Sequence, residues 1–285
     1  MAQQTAQQIV EDQRQDWNRV ASGWEKWDRF FDAQMAFLNH RLVADARLRA
    51  GLRVLDLGSG TGYPALLAAQ TVGSSATVVG IDLAEQMLDV ARRKAHSLGF
   101  SNITFRTGDV TTLPFAADSF DAVISRFCLM FLPEIPKSAG EIVRVLKPGG
   151  FLAAAVWSTP EKNPYLKIPM DVIKQFVELP PLDPTAPGIF RLAKPGDLAG
   201  LFDNAGLADI HEEEFLADVR FASGEEYAES LMDIAAPIQN MFAKLFDYQK
   251  AEVRTRIIQG AEAHRRGTSV ALPIAVRFVS AQKPI

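Results

Sequence analysis

One stretch of the chain, Val54-Leu55-Asp56-Leu57-Gly58-Ser59-Gly60-Thr61-Gly62, combines an apolar run, a carboxylate and alternating glycines. Glycine lacks a Cβ, so it tolerates positive φ and lets the backbone approach a ligand closely. A strand, a glycine turn and a helix beginning near Pro64 and Ala65 form a nucleotide-binding corner. The spacing is G-x-G-x-G, not the dinucleotide fingerprint G-x-G-x-x-G, and Tyr63 stands where the third fingerprint glycine would be. Asp56 sharpens the distinction. A carboxylate beside a pyrophosphate repels it, whereas an ammonium or sulfonium is attracted. Two further acids end apolar segments: Asp82 follows Val78-Val79-Gly80-Ile81, and Asp109 lies in Gly108-Asp109-Val110. Each alone reads equally well as a strand-end turn residue. Their succession in register with the glycine corner is what points to a ligand site.

With these motifs in this order, roughly residues 50–157 resemble the class I S-adenosylmethionine (SAM)-dependent methyltransferases. The resemblance is strongest to the small-molecule branch similar to ubiquinone/menaquinone biosynthesis methyltransferases. It implies SAM as cofactor and S-adenosylhomocysteine (SAH) as product. On that resemblance Asp56, Gly58, Ser59, Gly60 and Gly62 belong to the cofactor turn. Asp82 takes both ribose hydroxyls, with Leu83 and Met87 beside it, and Gly108, Asp109 and Val110 hold the adenine. Ser125 and Arg126 close a fourth strand, Phe120 to Arg126, whose end faces the methyl group. Leu146-Lys147-Pro148-Gly149-Gly150 resembles the family's turn into the fifth strand. N-terminal helices in the family often fold over the cofactor, which makes Trp24 and Trp27 candidate walls of the pocket. Tyr63 departs from the small or acidic residue common in relatives.

The elements that must position these residues follow from periodicity. Strands are expected at Arg53–Leu57, Thr77–Asp82, Ile103–Thr107, Ala122–Ser125 and Phe151–Val156. Helices are expected at Ala65–Thr71, Ala84–Leu98 and Ile135–Leu146. The alternation predicts an α/β fold with a doubly wound, Rossmann-like, mostly parallel sheet of about seven strands and helical cap segments. Ligands bind beyond the carboxyl ends of such strands, where Asp56, Asp82, Asp109 and Ser125 fall. Around this core at 51–157, residues 1–50 read as an N-terminal helical lid whose stripe runs Trp17, Val20, Trp24, Trp27, Phe31, with Trp17 assigned to the core. Residues 158–207 form a proline-rich excursion with helices expected at Met170–Leu179 and Leu198–Asn204. Residues 208–285 hold the last two strands, Asp209–Phe221 and Val270–Ser280, around cap helices within 225–266 that break near Pro237.

Composition bounds the partners. The 285 residues are 48% hydrophobic and 22% charged, as in a globular chain. A net charge of -4, with no basic run long enough to track a phosphate backbone, disfavours a nucleic-acid partner. No apolar run reaches membrane-spanning length and no secretory signal is apparent, so a cytoplasmic monomer or homodimer acting on a small-molecule methyl acceptor is expected. The sole cysteine, Cys128, lies in an apolar run and reads as a core residue. No metal-binding constellation stands out. A hydroxyl acceptor would profit from a base; His40, Tyr165 and Asp28 are the candidates, and none surpasses a purely structural role. Apolar residues in both cap segments suit an apolar or aromatic acceptor, with oxygen, nitrogen and carbon all open. Two other classes remain open: a SAM-binding protein without catalysis, and an oxidoreductase using NAD.

Overall fold

The computed structural model describes residues 5–178 and 186–285. Strands β1 (Arg53–Leu57), β2 (Thr77–Asp82), β3 (Ile103–Thr107), β4 (Phe120–Arg126) and β5 (Leu146–Trp157) are parallel to one another. Their apolar residues are buried on both faces, which is why the sequence shows runs and not alternation. The chain adds β6 (Ala208–Phe221), the two-residue β7 (Arg265–Arg266) and β8 (Ser269–Gln282). The order across the sheet is β3-β2-β1-β4-β5-β8-β6, with β7 paired to β8. Strand β8 runs antiparallel to both β5 and β6. The fold is therefore a doubly wound, Rossmann-like α/β sheet with one reversed long strand. β1 pairs with β2 on one side and β4 on the other, so the winding reverses beside β1 and opens a crevice at the strand ends.

Helices α1 (Ala6–Arg19), α2 (Ala21–Lys26) and α3 (Asp28–Asp45) precede the sheet. Within the Rossmann-like unit, α4 (Ala65–Val72), α5 (Glu85–Ser97) and α6 (Ile135–Val145) pack on it. The expected strands and helices of this unit lie where periodicity put them, with ends shifted by a few residues. Helix α3 belongs to the core: Phe31 and Met35 are buried, and Leu38 and Leu42 are fully so. The tryptophan stripe thus divides, because α3 packs against β4, β5 and α4 while α1 contains no buried residue.

In the excursion, α7 runs Pro164–Ile173, not Met170–Leu179, and α8 spans Asp197–Asn204. Leu179, Pro180, Pro181 and Pro184 lie outside the described residues. The expected helix starts only after Pro169, yet Pro169 sits inside α7. Proline removes the N–H that would bond the carbonyl four residues back. Here that carbonyl, on Tyr165, accepts from the Tyr227 hydroxyl at 2.5 Å instead. Pro164, at the first turn, loses nothing by lacking an N–H.

The remaining cap consists of α9 (Gly224–Ile234), α10 (Ala236–Phe242) and α11 (Asp247–Glu262), with the break falling before Pro237. α2 is seated on α9 at very close range. A Cβ on Gly23 would lie 2.0 Å from the Asp233 carbonyl oxygen, so only glycine fits. Lys26 bonds Glu229 at 2.7 Å and Asp233 at 2.8 Å across the same contact. Among the described residues, no helix is long and apolar enough to cross a membrane.

Candidate functional site

The glycine turn after β1 is held by the second strand. Gly58 and Ser59 both donate their N–H to the Ile81 carbonyl, at 2.8 and 3.0 Å. Gly58 has φ +69°, and a Cβ there would lie 2.4 Å from Cys128 Cβ, so glycine is required on both counts. The Asp82 carboxylate clamps the turn: Oδ2 accepts from Gly60 N–H at 2.8 Å and Oδ1 from Ala84 N–H at 2.9 Å. Burial pushes its pKa up, opposed by those amides. Each oxygen keeps a further lone pair for a ligand.

These residues open into a cavity of about 900 Å³, including its mouth, at the carboxyl ends of β1, β2 and β4. Gly58, Ser59, Gly60, Asp82, Leu83 and Met87 line one side. Gly108, Asp109 and Val110 continue it, with Asp109 Oδ1 fixed by the Thr111 N–H at 2.8 Å. Arg126 lines it from the end of β4. Trp24 and Trp17 approach from α2 and α1. Gln13 of α1 also lines the cavity and donates to the Phe131 carbonyl at 2.7 Å, strapping α1 across the mouth.

Several expected contacts lie elsewhere. Asp56 is fully buried behind the turn, where Oδ2 accepts from the Ala65 N–H at 3.2 Å at the start of α4. A carboxylate suits unpaired helix N-terminal amides, which explains its place. Burial raises its pKa to about 7, with Arg126 and the Ala65 amide opposing the rise. Ser125 is also fully buried and donates to the Leu57 carbonyl at 3.1 Å. Gly62, at φ +106°, shapes the turn without lining the cavity. Trp27 faces the cap: its Nε1 donates to Asp233 Oδ2 at 2.8 Å. None of the candidate bases reaches the cavity. His40 is exposed on α3, Asp28 pairs with Lys94 at 2.5 Å, and Tyr165 is buried among Phe221, Tyr227 and Trp157.

The cavity has members that sequence reasoning placed in the core or passed over. Trp17 lines it and meets Phe131 edge-to-face at 5.4 Å. Cys128 lines it, with its thiol pKa pushed up by burial and then by Asp82, Asp56 and Asp109. Phe127 lines it at φ +57° and stacks on Trp157 at 4.0 Å. Tyr63 lines it too, beneath Lys94 Nζ at 3.8 Å. Burial first, then Asp32 and Asp28, push the Tyr63 hydroxyl up to about 12. Trp17 carried a signal in the tryptophan stripe and Tyr63 in its departure from the small or acidic residue of relatives, whereas Cys128 and Phe127 carried none. Among the described residues, no group of His, Cys, Asp and Glu could hold a metal ion.

The donor set fits SAM. Ser59 Oγ, Trp24 Nε1 and Asp56 Oδ1 are buried without a protein partner, where such atoms ordinarily have one, and Ser59 and Trp24 are residues of the cavity lining. Two acids at neighbouring strand ends suit hydroxyls and an amine. Fold and site together define a Rossmann-like nucleoside-binding domain of the SAM type.

The comparisons with known proteins agree. Residues 48–179 match the family described as a methyltransferase domain. A demethylmenaquinone methyltransferase of Symbiobacterium thermophilum is 38% identical over 136 residues, 47% of this chain and 50% of that protein. The chain spans about half the length of the curated relatives it matches first. Among solved structures, a putative methyltransferase of Bacillus halodurans superimposes with a TM-score of 0.57 at 23% identity, covering 87% of this chain and 99% of that one. Phosphoethanolamine N-methyltransferase 2 of Haemonchus contortus, in complex with SAM, gives 0.58 at 20% identity, covering 93% and 57%. The family match thus lies over residues 48–179, and the fold is shared with these solved methyltransferase structures.

Proposed function

We propose that this chain transfers the methyl group of SAM to an apolar or aromatic small molecule, at oxygen, nitrogen or carbon. The observation that carries the reading is the division of one cavity: acids and a glycine turn on one side, aromatic rings from α1, α2 and the β4 end on the other. Bound SAM supplies a methyl group activated on a positively charged sulfur. Asp82, already fixed by two backbone amides, orients the ribose. Asp109, fixed by Thr111, accepts from the adenine amine beside Val110. Trp17, Trp24, Phe127 and Phe131 exclude water and present an apolar face to the acceptor. Trp24 can also attract the sulfonium with its ring face. His40, Tyr165 and Asp28 do not line this cavity, so positioning and desolvation carry the rate in this reading. The name of the Symbiobacterium relative supports an aromatic acceptor.

Helices α1 and α2 form the lid in this reading, closing against α9 and α10. Arg19 donates to Gln239 at 3.2 Å and Asn240 at 2.6 Å across that junction. The test of the function is transfer of radiolabelled methyl from SAM to a panel of phenols, quinols and aryl amines. Labelled product with one chemical class, dependent on Asp82, supports the proposal. Tight SAM binding with no transfer to any class favours a binding protein without catalysis.

A further inference from the structure

An oxygen or nitrogen acceptor loses a proton as it gains a methyl group, and positioning and desolvation leave that proton without a destination. Among the described residues, no histidine lines the cavity to take it. Asp82 and Asp109 are already engaged by backbone amides and hold the cofactor in this reading. Cys128 Sγ is wedged against the glycine turn, 2.6 Å from where a Cβ on Gly58 would stand. Tyr63 has what a proton relay requires. It lines the cavity, and its hydroxyl is hydrogen-bonded to the Asp32 carboxylate on α3. The Lys94 ammonium of α5 stands 3.8 Å from the centre of the Tyr63 ring and bonds Asp28 of α3 at 2.5 Å. A cation over the face holds the ring in place and favours negative charge on it. A hydroxyl that donates to a carboxylate keeps its two lone pairs for a donor from the cavity. Asp32 is only partly buried, so the far end of this chain of groups opens to water.

We propose that Tyr63 is the catalytic residue that takes the acceptor's proton while passing its own to Asp32, and that the acceptor is therefore a phenol or a similar ring bearing a hydroxyl or amine. The inference rests on the methyltransferase reading, since it takes the cavity to be the SAM and acceptor site. The acceptor's lone pair forms the bond to the methyl carbon, and the carbon–sulfur electron pair returns to sulfur. The acceptor's proton moves to Tyr63 Oη as the Tyr63 proton moves to an Asp32 carboxylate oxygen, and Asp32 releases it to water. No free tyrosinate is required, which suits a hydroxyl that its surroundings keep protonated.

The test uses the full chain as wild type, Tyr63→Phe and Asp32→Asn, with thermal melting to check the fold. Tyr63→Phe keeps the ring beneath Lys94 and removes the hydroxyl. Asp32→Asn keeps an oxygen that accepts from Tyr63 and cannot take a proton. Phenol is first titrated calorimetrically into each protein saturated with SAH. Tyr63→Phe should bind phenol about 2- to 10-fold more weakly than the wild type, and Asp32→Asn as tightly. Methyl transfer from SAM is then measured with phenol and with thiophenol above its own pKa, where it arrives as the thiolate and has no proton to lose. The ratio of phenol to thiophenolate transfer should fall about 100-fold or more in both variants, through kcat alone in Asp32→Asn. Tyr63→Phe binding phenol as tightly as the wild type overturns the proposal. So does an unchanged ratio in either variant, or no transfer to phenol by the wild type. If the wild type binds SAH but not phenol, the proposal falls and the SAM site stands; if it binds neither, both fall.

Discussion

Replacing Asp56 with Asn should change how stability depends on pH. The carboxyl has an ordinary pKa of 3.8 and is raised to about 7 by burial in the folded chain. A raised acid binds its proton more tightly when folded than when unfolded, so its ionisation works against folding. The sign follows. Below about pH 4 the carboxyl is protonated in both states and contributes no slope. Between about pH 4 and 7 the unfolded chain ionises while the folded one resists, and stability falls. Above about pH 7 both are ionised and the loss is complete. Each pH unit is worth about 1.4 kcal/mol, so the window from pH 5 to 7 allows up to about 3 kcal/mol. Asn keeps an acceptor for the Ala65 N–H, bonded to Asp56 at 3.2 Å in the wild type, and removes the ionisation. Urea unfolding of both proteins without ligand at half-unit steps from pH 5 to 8 measures the difference. The gap between variant and wild type should widen in favour of Asn up to about pH 7 and then stay level. Parallel curves would mean that Asp56 is ionised throughout, and the argument from burial would be wrong.

Three other outcomes are expected. Asp82→Ala should weaken SAH binding by about 1.5–3 kcal/mol for each charged hydrogen bond lost, and Asp109→Ala by less, because shape and the Val110 backbone also hold the adenine; calorimetric titration reads both. Tyr227→Phe leaves the Tyr165 carbonyl beside Pro169 without its partner and should lower stability by about 1–3 kcal/mol in chemical unfolding; an unchanged midpoint would show that the carbonyl finds another donor. Removing residues 1–19, which include Gln13 and Trp17, should leave the melting of the sheet intact and weaken SAH binding, whereas a truncation through residue 40 should unfold the chain, since it takes Leu38 from the core.

The sheet was legible because β1, β2, β4 and β5 hold short apolar runs, as buried parallel strands do, and because β1, β2 and β3 end at an acid or a glycine. Part of the cavity lining was legible for the same reason: Asp82 and Asp109 lie at strand ends, and both line it. Asp56 misled, because a carboxylate before a glycine turn serves a helix N-terminus as readily as it serves a ligand, and spacing does not separate the two. Trp17 and Trp27 exchanged places for a comparable reason. Both lie on one helical stripe, but the chain breaks between α1, α2 and α3, and each break turns the stripe to a new face. The aromatic members at the β4 end, Phe127 and Phe131, follow from a left-handed residue and a one-turn helix that no periodicity announces. Pro169 hid α7 because the bond it cannot give the Tyr165 carbonyl is replaced by the Tyr227 hydroxyl, sixty-two positions along the chain from Tyr165.

The central claim is that this cavity is a SAM site, and calorimetric titration of the full chain with SAM, SAH and NAD under one set of conditions tests it most directly. The account predicts one-site binding of SAM and SAH, weakened by Asp82→Ala, and no binding of NAD. Tight NAD binding with no signal from SAM or SAH would contradict it.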